Sequence, residues 1–203
     1  MPAAPSRDTY LSLDLDYWNK AVFDPRLIEA IFDSGLPLIV TQDHHDLLPH
    51  VNAQPGLTRL VNIDYHSDLL SAPEPLHIGN WVNYVAWRDR GHYVWILPRM
   101  NDYHLKWGYC HVGENPFTDT TRLTGWRSAE KREGYESDIL DTVAAVGICV
   151  SPNYLDAGSD ASAALRLLLS HLERTGTSLI ESRKPENREK FRARVEGLRE
   201  RND

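Results

Sequence analysis

Cysteine is nearly missing from this chain: Cys110 and Cys149 are the only two in 203 residues. They could form one bridge at most, and Cys149 lies inside the apolar run Val143 to Val150. Free buried thiols in a reducing compartment are therefore the expectation. Long hydrophobic runs are missing too. None approaches the roughly 20 residues that span a bilayer, and the N-terminus lacks the basic-then-apolar layout of a secretory signal. A cytoplasmic protein with no membrane partner is expected. No internal repeat or low-complexity segment is present, which excludes solenoid and linker architectures. Positive charge is in deficit, with 22 Lys and Arg against 29 Asp and Glu and a net charge of −7. That balance argues against nucleic acid and is compatible with a cationic ligand. The remaining composition, 41% hydrophobic and 25% charged, is that of one globular domain able to bury a substantial core.

Within this ordinary composition, Asp64-Tyr65-His66-Ser67-Asp68 stands out. It closes the apolar run Leu60 to Ile63 and sets Asp64, His66 and Asp68 at every second position. In an extended segment such positions share a face, so the three side chains are predicted to converge at a strand end. Grouped carboxylates are costly to desolvate unless cations neutralise them. The bland alternative is a polar strand end that caps a following helix. Tyr10 to Trp18 repeats the theme: Asp14 and Asp16 alternate with Leu13 and Leu15, predicting two carboxylates on one face of a strand, where they would repel without a cation. A third ligand-type cluster, Gln42-Asp43-His44-His45-Asp46, follows the apolar run Leu36 to Val40. Three apolar strands that each end in metal-type side chains make a metal site the favoured reading. Asp14, Asp16, Asp64 and Asp68 with His44 and His66 suit two hard-to-borderline divalent ions. Spacing alone does not separate His44 from His45.

The coarse order alternates strand and helix. Asp24-Pro25 opens a helix whose stripe is Leu27, Ile28, Ile31 and Phe32, and Gly35 ends it. Strands are predicted at Leu36–Val40, Leu60–Asp64, Tyr93–Pro98 and Val143–Val150, with a weaker one at Tyr109–Val112. Gly79 to Arg90 reads as a helix, Asn101 to Arg132 as a long loop or insertion, and Ser159 to Arg174 as a helix capped by Ser159 or Asp160 and stopped at Gly176. This implies a single-domain three-layer α/β/α fold with a mostly parallel sheet, whose ligands gather at the strands' carboxyl ends. The domain is expected over residues 1–182. Residues 183–203, rich in Arg, Lys and Glu, are expected to form a solvated surface helix of the same domain with no chemistry of their own.

The segments Ser12-Leu13-Asp14-Leu15-Asp16-Tyr17-Trp18, Asp43-His44-His45, Asp64-Tyr65-His66-Ser67-Asp68, Gly79-Asn80-Trp81-Val82-Asn83-Tyr84 and Ser151-Pro152-Asn153-Tyr154 resemble those of the peptide arginases. These belong to the arginase/deacetylase superfamily and convert arginine to ornithine inside ribosomally made peptides. The likeness spans about the first three quarters of the chain and is specific as a set rather than motif by motif. The motif order differs from that of classical arginases, because S-x-D-x-D here precedes D-x-H-x-D. An Asp-Pro pair also falls eight residues past Asp16 rather than three. Strand permutation is compatible with one site, since ligands depend only on where strand ends meet.

The resemblance implies two Mn2+ ions, with Asp14 and Asp64 bridging them. His44 would complete one shell, and Asp16 with His66 the other. Asp68 would ligate one ion and orient the attacking water. The resemblance also makes His77 a proton shuttle to the leaving amine. For a guanidinium substrate, Glu74 and Asp156 are the available bidentate carboxylates, Trp18, Asn80 and Trp81 are candidate pocket walls, and Ser151-Pro152-Asn153-Tyr154, with Asn153 the candidate substrate contact, follows the central strand at its carboxyl end, so at least one of its polar groups is expected to face the cavity. The implied partner is an arginine-containing precursor peptide. A mononuclear zinc deacetylase-like enzyme and a non-catalytic metal-stabilised binding protein are the competing classes.

Overall fold

The computed structural model describes residues 7–19, 21–66, 68, 75–86, 91–97, 126–133, 138–156 and 158–200. Glu74, Cys110, the segment Tyr109–Val112 and most of the 101–132 stretch lie outside the described residues.

The strands are β1 (Thr9–Asp14), β2 (Leu38–Thr41), β3 (Arg59–Ile63), β4 (Gly91–Leu97), β5 (Trp126–Glu133), β6 (Val143–Cys149) and β7 (Leu179–Ile180). They form one sheet in the order β5-β4-β3-β1-β6-β2-β7, and every neighbouring pair is parallel. The helices are α1 (Pro25–Asp33), α2 (Leu48–Asn52), α3 (Ala161–Thr175) and α4 (Pro185–Arg199), with single 3-10 turns at Leu15–Asn19, His44–Leu47 and Trp81–Tyr84.

Alternation along the strands builds two cores, one on each face of the sheet. Leu11, Leu13, Val61, Ile63, Val94, Ile96, Val146 and Ile148 point into the first, where Ile28 of α1, Leu165 and Leu168 of α3 and Leu198 of α4 cover them. Tyr10, Leu60, Tyr93, Trp95 and Ala145 point into the second, under Leu47, Leu48, Val51, Trp81 and Val82. The α/β expectation is met, with covering elements on both faces. Among the described residues, no helix is long and apolar enough to cross a membrane.

Local chemistry explains the helix ends. Asp24 caps α1 by accepting the Arg26 N–H at 3.0 Å, beside Pro25 in the first turn. Gly176 ends α3 at φ +70°, a left-handed conformation that costs glycine nothing. Asp160 precedes α3 without a side-chain cap bond. Its carboxylate instead accepts the Phe23 N–H at 2.8 Å.

Three expectations need correction. Over the described part of the helix expected at Gly79–Arg90, residues 79–86, the structure has a 3-10 turn at Trp81–Tyr84, which Val85 leaves with extended backbone, and residues 87–90 lie outside the described residues. The segment from 126 to 132, read as loop, belongs to β5. Its Trp-Arg-Ser-Ala-Glu-Lys-Arg-Glu sequence has no apolar alternation to reveal a strand. Among the described strands it pairs only with β4, and an edge strand tolerates that polarity. Finally, β1 stops at Asp14 and β3 at Ile63, so Asp16, His66 and Asp68 do not share an extended face with the residues before them.

Gly147 of β6 carries packing information. A Cβ there would stand 2.7 Å from Leu47 Cδ2 and 2.7 Å from the Tyr10 hydroxyl. Gly147→Ala should therefore cost about 1–3 kcal/mol as an overpacked core change, read as a lower melting temperature. A variant as stable as the parent would show that the 3-10 turn carrying Leu47 can retreat freely.

Candidate metal centre

The register aligns the carboxyl ends of four strands. Leu13 sits opposite Ile63, and Asp14 and Thr41 both sit opposite Cys149. Asp64, Asp14, Cys149 and Thr41 thus form one row across the sheet. Beneath that row, Ser12 and Asn62 continue the face that Tyr10 and Leu60 begin.

Both acidic motifs turn in the same way. Asp14 Oδ1 accepts the Asp16 N–H at 3.1 Å, and Asp64 Oδ1 accepts the His66 N–H at 2.8 Å. These are Asx turns, in which an aspartate binds the backbone two residues on and diverts the chain from the strand. The turn, rather than strand pleating, brings the second ligand-type residue of each motif back beside the first. Tyr65 N–H, 3.4 Å from Asp16 Oδ1, links the two turns. Asp68 and Ser151 are the non-glycine residues with positive φ among those described, at +53° and +46°. Both lie in the site, where strained backbone characteristically gathers.

His44 forms the hub of one half. Its Nδ1 lies 2.8 Å from Asp68 Oδ2, 3.2 Å from Asp14 Oδ2 and 3.2 Å from Asp64 Oδ2. One ring nitrogen carries at most one proton, so it cannot satisfy three carboxylates as a hydrogen-bond donor. Ligands ~2.1 Å from one octahedral ion are ~3.0 Å apart along each edge, which matches this set. His44 Nε2 faces Ser12 Oγ at 2.6 Å, a partner that fixes the ring and leaves Nδ1 for the centre. Trp81 Nε1 donates to Asp68 Oδ2 at 2.5 Å, and Ser151 Oγ donates to Asp14 Oδ2 at 2.5 Å.

The other half is built on His66. Its Nδ1 lies 3.1 Å from Asp16 Oδ2 and 3.8 Å from Asp64 Oδ1. Asp64 thus turns one oxygen toward each histidine and spans both halves. Asp16 Oδ2 is buried without an aligned hydrogen bond despite its closeness to His66. Two groups, His44 with Asp64 and Asp68, and His66 with Asp16 and Asp64, each present ligand atoms close enough to hold one cation.

Electrostatics points the same way. Asp14, Asp16, Asp64 and Asp68 are at most 4% exposed. Among the described residues, none of them pairs with Lys or Arg. Such a group is unfavourable unless protons or cations compensate it. In the bare chain protons do so. Burial, then the charges of Asp14 and Asp64, raises the Asp16 carboxyl well above its usual range. Burial, then Asp68, lifts Asp64 to about 6. Burial opposes charge on the imidazoles, but Asp68 first, with Asp14 and Asp64, outweighs it at His44 and raises that ring well above its ordinary value. Asp16 chiefly does the same for His66, which rises to about 10. A cation must therefore displace protons, since only carboxylate and neutral imidazole ligate. Asp64 gains a proton as pH falls through about 6, and His66 holds one at neutrality. Mn2+ affinity should fall about tenfold per pH unit for each proton displaced, with proton release on binding visible by calorimetry in buffers of different ionisation heat. Affinity flat between pH 5.5 and 8 would show that the cluster does not bind the ion through these groups.

The remaining expected site residues are placed as follows. His45 groups with Asp43 and Asp46 instead, its Nε2 3.9 Å from Asp46 Oδ1. Asn80 is fully buried and closes the 75–80 loop, donating to Pro75 O at 3.1 Å and accepting from His77 N at 2.8 Å. His77 Nδ1 accepts the Gly79 N–H at 3.0 Å. Trp81 reaches the centre through Asp68, whereas Trp18 packs edge-on against Tyr17 and Phe23. Asn153 donates to Asn187 of α4, and the Asp156 N–H is held by Asn19 Oδ1 at 3.0 Å.

Sequence reasoning assigned no individual role to Ser12, Ser151 or Tyr154, although the last two belong to the segment expected to turn a polar group toward the cavity, as Ser151 does at Asp14. Ser12 was visible as the residue two before Asp14 on the same strand face. Tyr154 is 45% exposed, and its ring centroid is 5.4 Å from that of His66. Burial, and then the cluster's carboxylates led by Asp16, raises its phenol. Set against family models, curated proteins and solved structures, the chain matches none.

Proposed function

We propose that the chain is a dinuclear manganese hydrolase that cleaves the guanidino group of arginine residues in a precursor peptide, giving ornithine and urea. The observation that carries this reading is Asp64, whose two oxygens face separate histidines, each with its own further aspartate. A mononuclear site would have no use for the Asp16 and His66 half. Asp14, His44, Asp64 and Asp68 would hold one ion, and Asp16, Asp64 and His66 the other. Bound there, the ions supply Lewis acidity and a water made nucleophilic near neutral pH.

The chain's own groups do the rest. Asp68, which accepts a hydrogen bond from the Trp81 indole, would orient the attacking water. The half-exposed Tyr154 ring beside His66 offers a flat, electron-rich face to a planar cation at the mouth. Water adds its oxygen to the guanidino carbon, the bond from that carbon to the side-chain nitrogen breaks, and that nitrogen takes a proton to leave as the ornithine amine. His77 is the proton donor in this scheme.

The test is incubation with Mn2+ and an arginine-containing peptide, followed by mass measurement. A loss of about 42 Da per arginine, the difference between guanidino group and amine, is expected. Deacetylation of an acetyl-lysine peptide with arginine untouched would overturn the assignment. His77→Ala should slow turnover by roughly a hundredfold if the proton passes through it, and an unchanged rate would remove it from the scheme.

A further inference from the structure

Asp43 precedes His44 and formally caps its 3-10 turn, yet its side chain makes no cap hydrogen bond. The carboxylate, 3% exposed, is engaged elsewhere. Its Oδ1 accepts from Asn187 Nδ2 at 2.6 Å, and its Oδ2 accepts from the Ser182 hydroxyl. Asn187 is 2% exposed and lies in the first turn of α4, an otherwise solvated helix of Arg, Lys and Glu. Its Oδ1 accepts from Asn153 Nδ2 at 2.5 Å, beyond the end of β6. The Ser182 N–H donates to Gln42 Oε1 at 3.1 Å, and Gln42 N–H donates to Ile180 O at 3.0 Å. The chain leaving β2 is therefore tied by side chains to the segments that follow β6 and β7. His44, the next residue, is held between Ser12 Oγ and the Trp81 ring, whose centroid is 4.9 Å away. A buried carboxylate with both oxygens engaged cannot shift without breaking charge-assisted bonds.

We propose that α4 is a working part of the metal centre: Asn187, with Ser182, is a positioning residue that acts through Asp43 to hold His44 Nδ1 where its ion must sit. The inference rests on the reading that His44 and His66 serve separate ions. It predicts an asymmetric effect. The His44 half depends on Asn187, whereas the His66 half is built from the β1 and β3 turns and does not.

The test titrates Mn2+ into the full chain, following free ion by its paramagnetic resonance signal, with far-UV dichroism to confirm folding. In a His66→Ala background, which leaves the His44 half, Asn187→Ala should weaken Mn2+ by about 10–100-fold, the usual effect of losing an outer partner of a ligand. In a His44→Ala background the same change should alter affinity by less than about twofold, given that effect scale. Ser182→Ala removes one hydrogen bond to the same carboxylate and should act in the same direction, and it decides the matter if Asn187→Ala does not fold. Equal weakening in both backgrounds, or none in either, overturns the proposal and leaves Asn187 a stability residue. Absence of Mn2+ uptake by the parent chain overturns the metal reading itself, and that result precedes any variant.

Discussion

Asp64→Asn should raise the stability of the metal-free protein while abolishing its activity. The two effects share one cause. In the bare chain, Asp64 is a buried acid whose carboxyl is lifted to about 6 by burial and then by Asp68. A group with a raised folded-state pKa destabilises the fold as pH rises from its unfolded value through its folded one, so by pH 7 the penalty is fully present. Replacing it with a neutral amide should return about 1–3 kcal/mol, or a few °C in melting temperature. Asparagine has one side-chain oxygen, so of the two donors on Asp64, the His66 N–H at Oδ1 and Asn62 Nδ2 at Oδ2, one keeps its acceptor and the loss of the other offsets part of that gain. With metal the sign reverses. Asp64 is the carboxylate that spans both halves, so its loss should reduce turnover by at least about a thousandfold, a barrier change of ~4 kcal/mol that is modest for Lewis-acid catalysis. Turnover within tenfold of the parent at unchanged metal content would refute the assignment, as would a metal-free variant less stable than its parent.

Cation binding should in turn be the largest single stabiliser of the parent chain. Four buried carboxylates with no Lys or Arg partner among the described residues leave the folded state carrying a charge cost that the unfolded chain avoids. An ion that binds only the folded form adds about 2.7 kcal/mol per site at a hundredfold excess over its dissociation constant. For a chain of this length that is roughly 5–10 °C in melting temperature per site. A chelator should remove the gain completely, and Asp64→Asn should show almost none of it. A melting temperature indifferent to Mn2+ and to chelator would mean that protons alone neutralise the cluster.

The clustering of Asp14, Asp16, Asp64 and Asp68 with His44 and His66 was legible because three apolar runs each end in aspartate and histidine. Strand pleating accounts for only part of their convergence. Pleating places Ser12 beside Asp14 and Asn62 beside Asp64, but it is the Asx turns that return Asp16 and His66 to the centre. Choosing His44 over His45 required the turn of the 3-10 segment, which no spacing rule supplies. Asn187 was hidden by its surroundings, because a single amide in a charged amphipathic helix looks like surface until the partner carboxylate is seen. β5 was missed because binary patterning describes buried strands, and an edge strand need not obey it. Apolar periodicity, by contrast, identified β6, α1 and α3 with ends close to those observed.

The strand order also dictates a timetable for synthesis. All six candidate ligands fall between residues 14 and 68, so they leave the ribosome early. Yet β2, which leads into His44, pairs only with β6 and β7 among the described strands, and those begin at residues 143 and 179. A nascent chain a hundred residues long can pair β1 with β3 and form the His66 half. It has no sheet on which to seat His44. The two halves therefore mature at different moments, the second only after β6 has emerged, and a cation captured early would wait beside an unfinished neighbour.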